Sequence, residues 1–117
     1  MKYIALIYAN EESSPKPGSE EFGRLIGEYE AATNQFIKDG VLVGSDPLQS
    51  VNTATTLRTR NGKLSTTDGP FAETKEQLGG YYIFECENLD DALKYAAMIP
   101  TVNYGSIEVR PIMTIER

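Results

Sequence analysis

The chain has 117 residues, 40% of them hydrophobic and 24% charged, with a formal net charge of −6. That length fits one domain able to bury a core without staples, and the acidity argues against nucleic acid or an anionic membrane surface as a partner, since both need a basic stripe. A single cysteine, Cys86, excludes a disulfide framework, and the absence of histidine excludes Ser-His-Asp and Cys-His catalysis and histidine metal sites.

Residues 2–9 read as a strand with apolar side chains on both faces: Tyr3, Ala5 and Ile7 on one, Ile4, Leu6 and Tyr8 on the other. This opening run is too short for a signal hydrophobic region or a membrane span, so one cytoplasmic domain over 1–117 is expected. Asn10 to Gly18, with two prolines, reads as a loop and the least constrained piece of the chain. Ser19 suits a helix N-cap, with Glu20 and Glu21 favourably placed in the first turn. Phe22, Leu25, Ile26, Tyr29, Thr33, Phe36 and Ile37 then form an amphipathic helical stripe that Gly40 closes. Gly23 and Gly27 within it fit either close approach of another backbone or tolerated positions on an exposed face.

Val41 to Val43 reads as a short strand and Gly44 to Pro47 as a turn. Thr53–Arg60 and Lys63–Asp68 flank Asn61-Gly62, the pair preferred in a type I′ hairpin turn. That turn sets Arg60 opposite Lys63, Leu57 opposite Thr66 and Thr55 opposite Asp68. Asp68 thus shares the more apolar side with Leu57 and Leu64, while Arg58, Arg60 and Lys63 share the other. Gly79-Gly80 fits a bulge leading into a strand at 81–87. It is no phosphate cradle, because no helix with lysine and serine or threonine follows. Asn88 caps a second helix whose buried side is read as Leu89, Ala92, Leu93 and Ala96, with Pro100 ending it. Ser106 to Ile115 is the last strand.

Without the hairpin, the order is the split βαβ pattern of an α+β, ferredoxin-like βαββαβ fold. Two helices cover only one sheet face, yet strands 2–9 and 81–87 are apolar on both. The second face therefore needs a cover, and a two-fold homodimer packed sheet to sheet is the economical one. The inserted β-hairpin folding over it as a lid is the alternative.

The stretch from Thr66 to Tyr82, with Asp68-Gly69-Pro70-Phe71 inside it, resembles the DGPF branch of the YCII-related proteins. The likeness extends to Lys2-Tyr3, Gly40-Val41-Leu42, Thr53-Ala54-Thr55-Thr56 and Tyr104 through Pro111. It implies a dimeric α+β barrel and a protein whose relatives are sometimes joined to sigma factors, so a sigma factor is an implied partner. Other members carry a proposed catalytic His-Asp pair. With no histidine here, only the aspartate side of such chemistry could survive, at Asp68.

Asp68, at a strand end beside a Gly-Pro turn, is the candidate acid or base, or else an Asx group bonding the turn's own backbone. Arg110 could hold a ligand carboxylate or phosphate, or pair structurally with an acid such as Glu108. Tyr8, Phe71 and Tyr82 are candidate ligand contacts, although tyrosines with one polar tip also serve as core. Glu73, Lys75 and Glu76 either line a pocket mouth or form a solvated loop. Cys86 reads as a buried, inert thiol. No metal-ligand spacing or cofactor motif appears. The leading expectation is a dimer binding, or transforming, a small polar ligand. A non-catalytic interaction module associated with transcription is the alternative.

Overall fold

A computed structural model describes residues 1–116. Four strands form one antiparallel sheet: β1 (Lys2–Ala9), β2 (Leu42–Pro47), β5 (Gln77–Glu85) and β6 (Ser106–Pro111), in the order β2-β5-β1-β6. The two strands with apolar residues on both faces are central, as the ferredoxin-like arrangement requires. Helices α1 (Glu20–Lys38) and α2 (Leu89–Ala96) lie on one face. There Phe36, fully buried, meets Tyr82, Phe84 and Tyr95 edge-on at 4.9–5.9 Å between ring centroids. Tyr3, Ala5, Ile7, Ala32, Cys86, Ala92, Ala96 and Ile99 complete this core.

Both helix starts follow the sequence reading. The Ser19 hydroxyl accepts from the Phe22 N–H at 3.1 Å, and the Asn88 side chain accepts from the Asp91 N–H at 2.9 Å. The buried side of α2 is narrower than the pattern suggested. Leu89 and Leu93 are exposed, because the helix has only eight residues and meets the sheet through Ala92 and Ala96. Nothing approaches Gly23 or Gly27, which lie on the exposed side of α1.

Several strand boundaries differ from the expectation. β5 runs from Gln77 to Glu85 where the sequence suggested 81–87, and the hairpin's first strand starts at Thr55 after a short 3₁₀ turn at Val51–Thr53. The ends of β2 and β6 move as well. Gly44 to Pro47, read as a turn, continues β2 after a register shift between Leu42 and Gly44. Glycine and proline are tolerated there because β2 is an edge strand with one side unpaired. The last strand ends at Pro111 and not at Ile115, with one more bond to β1 from the Ile112 N–H to the Lys2 carbonyl at 2.8 Å. Proline is tolerated there because β6 is an edge strand. The Gly79-Gly80 bulge forms as expected: Ile7 pairs with Gly80 and Tyr8 with Leu78, leaving Gly79 extra.

The second sheet face carries Ile4, Leu6, Tyr8, Tyr81 and Ile83, each half-buried, with no helix over them. The inserted hairpin does not cover it. Strands β3 (Thr55–Arg60) and β4 (Lys63–Asp68) make a separate two-stranded sheet in the expected register. Asn61 and Gly62 both adopt positive φ (54° and 77°), the type I′ geometry that Asn-Gly favours. Of residues 55–68 all but Thr56 are exposed. The projecting hairpin helps raise the radius of gyration to 16.4 Å, against about 13 Å for a compact domain of this length.

Candidate functional site

A cavity of about 840 Å³ opens where the N-terminal half of α1 faces the ends of β1, β2 and β5. Its size lies within the ~300–1,000 Å³ common for small-molecule sites. One wall is aromatic: Tyr29 of α1 and Tyr82 of β5 lie nearly parallel, 6° apart, with centroids 6.5 Å apart. The helical stripe positions Ile26 and Phe22 one and two turns before Tyr29 at the middle of α1, and both face the same space.

The hydroxyls of this wall are held from behind. The Tyr82 and Thr33 hydroxyls hydrogen-bond at 2.7 Å, and that of Tyr29 bonds the buried Thr101. Burial, above all, pushes the Tyr29 phenol up to about 12. At the β2 rim, Tyr81 donates to Asp46 Oδ2 at 2.8 Å, and that hydrogen bond raises its pKa as well. Tyr29 and Tyr81 are therefore neutral hydrogen-bonding groups around pH 7 and not phenolate bases.

The 10–18 strap forms the opposite wall, and it is more ordered than a proline-rich loop suggested. The Asn10 side chain accepts from the Glu12 N–H at 2.9 Å, and the Ser14 hydroxyl donates to the Asn10 carbonyl at 2.6 Å. Glu11 fastens the strap to the far rim. Its carboxylate accepts from the Ser50 hydroxyl at 2.7 Å and the Val51 N–H at 3.1 Å, while its own N–H donates to Gln77 at 3.0 Å. Ser50, Asn52 and Gln77 also line the cavity, so the segment carrying the hairpin leaves from and returns to its rim.

The five residues singled out in the sequence do not converge within one chain. Tyr82 lines the cavity. Tyr8 is half-buried on the opposite sheet face and pairs with Ser106 of β6; Arg110 and Glu108, both exposed and 3.7 Å apart, pair further along β1 with Ile4 and Leu6. Asp68 ends β4, exposed and paired with Thr55; Leu57 and Leu64 on its side of the hairpin are exposed too. Phe71, 76% exposed, follows in the loop. Of the charged loop, Glu76 accepts from the Ser106 hydroxyl at 2.8 Å, and Glu73, Lys75 and Glu76 are not part of the cavity wall. Cys86 is buried, which pushes its thiol up and leaves it protonated. Among the described residues no cluster of three acidic or cysteine side chains could hold a metal ion.

Sequence reasoning missed Glu11, Tyr29, Asp46 and Gln77 as site residues. Tyr29 was counted as helix core and Asp46 as turn. Only the fold brings these separate segments to one hollow.

The fold is ferredoxin-like α+β, and its candidate site is a hollow at one end of the sheet. Residues 1–116 match the YCII-related domain, and the chain belongs to that family. It is 38% identical over 114 residues to an uncharacterized protein of Rhizobium meliloti (strain 1021), covering 96% of this chain and 92% of the relative. Among solved structures, it is similar to 5-chloro-2-hydroxyhydroquinone dehydrochlorinase of Burkholderia phenoliruptrix AC1100, determined with 2,5-dihydroxybenzoquinone. That likeness has a TM-score of 0.47 and 15% identity, and covers 97% of this chain and 94% of the other. Among the described residues no helix is long and apolar enough to cross a membrane.

Proposed function

We propose that the protein is a homodimer that binds a small molecule in the cavity between α1 and the ends of β1, β2 and β5. The observation that supports this is the parallel Tyr29–Tyr82 pair facing an open volume of about 840 Å³. Stacked rings offer a flat apolar body its best contact. Asp46, Asn52 and Gln77 at the rim offer hydrogen bonds to a polar edge. The ligand is thus small, with a planar apolar part and polar substituents. The partially exposed second sheet face supports the dimer, because a contiguous apolar patch there is costly in water.

If the ligand is transformed as well as bound, Asp68 is the acid or base only as a group supplied to the cavity of a partner subunit, since within one chain it is exposed on the hairpin and outside the cavity wall. Asp68→Asn then abolishes turnover but leaves binding intact. Binding itself is tested by thermal shift and crystal soaking with small phenols and heteroaromatic acids and amines. Density against Tyr29 is expected, and Ile26→Trp, which fills the hollow, should remove it. Ligands that bind Ile26→Trp as well as the wild type would place the site elsewhere.

A second reading, an interaction module associated with transcription, is favoured by the same uncovered sheet face. Co-purification of a sigma factor, lost in Ile83→Lys, would support it.

A further inference from the structure

We propose that the hollow between α1 and the strand ends selects organic cations, flat amines or amidines whose N–H groups donate to Glu12 and Asp46. The inference rests on the small-molecule reading and deepens it by naming the chemical class that the site accepts.

The hollow has few hydrogen-bond donors to offer a ligand, because its own chain uses them. The Tyr81 hydroxyl donates to Asp46 Oδ2 at 2.8 Å, that of Ser50 to Glu11 at 2.7 Å and that of Ser14 to the Asn10 carbonyl at 2.6 Å. Lys16, the one cation among the lining residues, is turned onto the Glu11 carbonyl. The hydroxyls of the aromatic wall are bonded to Thr101 and Thr33. Acceptors are what remain. Among the described residues no donor meets the Glu12 carboxylate or Asp46 Oδ1, and no cation pairs with either residue.

Charge points the same way. Three carboxylates line the hollow, those of Glu11, Glu12 and Asp46, against one lysine, which leaves it net negative on a chain of −6. A cleft lined by one sign of charge concentrates its counter-ion. An anion would meet repulsion with few donors to offset it, and a neutral ring would gain the aromatic wall alone. A cation gains both, since the faces of Tyr29 and Tyr82 attract positive charge and a carboxylate strengthens each hydrogen bond from it. The aromatic hollow makes the site, and the carboxylates decide which charge enters.

Benzamidine, benzamide and benzoate are flat and nearly equal in size, so calorimetry with the three on the full chain at low salt separates charge from shape. Benzamidine should bind about tenfold more tightly than benzamide, with benzoate weakest. That gap should narrow at about 1 M salt, where exposed charges are screened. Glu12 and Asp46 are both exposed, so Glu12→Gln with Asp46→Asn should keep the wild-type melting temperature. The pair should remove most of benzamidine's advantage and change benzamide far less. Benzoate binding as tightly as benzamidine, or an advantage that survives the double variant, overturns the selectivity. The hollow itself stands in that case if Ile26→Trp still weakens benzamide. Failure of all three to bind at millimolar concentration overturns both.

Discussion

Phe36 and Leu64 are both large apolar residues in regular elements, yet one is 0% exposed and the other 70%. Phe36 sits where two helices close on a sheet and three rings meet it edge-on. Leu64 sits on an element shaped almost wholly by local chemistry, an Asn-Gly turn and one ladder of hydrogen bonds. The body is organised by burial and the hairpin by its turn. A perturbation therefore acts globally in the first and locally in the second.

The largest effect should come from Phe36→Ala, which removes a fully buried ring. A loss of about 3–5 kcal/mol is expected in denaturant unfolding. Leu64→Ala in the monomer should stay within about 0.5 kcal/mol. Equal losses would mean that the hairpin folds with the body.

Gly105→Ala comes next. A Cβ there would lie 2.2 Å from the Tyr8 carbonyl oxygen and 2.8 Å from Thr101 Cγ2, at the corner where β6 joins β1. The backbone must shift, at a cost of about 1–3 kcal/mol. A melting temperature equal to the wild type would show that corner to be looser than its geometry.

The alkaline limb of stability is a smaller effect. The Tyr29 phenol is raised from 10.0 to about 12 in the folded chain, chiefly by burial. Below pH 10 it is neutral in both states. As the pH rises from 10 towards 12 the unfolded chain releases the proton first, so this contribution to stability is lost. Tyr81 and Tyr95 are shifted in the same direction through Asp46 and Asp39. Tyr29→Phe should therefore shallow the decline without abolishing it. An unchanged slope would show Tyr29 to be wetter than the packing indicates.

The smallest global effect belongs to Gly62→Ala. With φ at 77° an L side chain is strained there, by about 1–2 kcal/mol. Because the hairpin stands apart, that strain should appear as faster amide exchange across 55–68, with the melting temperature of the body almost unmoved.

Much of the architecture was legible because it rests on local rules. The Asn61-Gly62 turn specified the hairpin register, Ser19 and Asn88 marked helix starts, and two-sided apolar strands pointed to the sheet centre. Edge positions were less legible: Gly44 to Pro47 has turn chemistry, yet an edge strand accepts it. Burial on α2 was overread, since periodicity tells which residues share a face but not how much of it meets the sheet. The site was least legible. Its wall joins Glu11, Tyr29, Asp46 and Gln77, none adjacent to another in sequence, and each has an ordinary local explanation. Asp68 drew attention through its neighbours Leu57 and Leu64, whose burial an isolated hairpin does not provide.

Glu11 gives this arrangement a mechanical property. One carboxylate ties the strap to the segment from which the hairpin departs, through Ser50 and Val51. A pull on either is thus transmitted to the other, like two doors sharing a latch. Coupling of this kind is reciprocal in free energy: if occupancy of the hollow tightens subunit pairing, pairing tightens occupancy by the same factor, and Glu11→Ala is where the two should come apart.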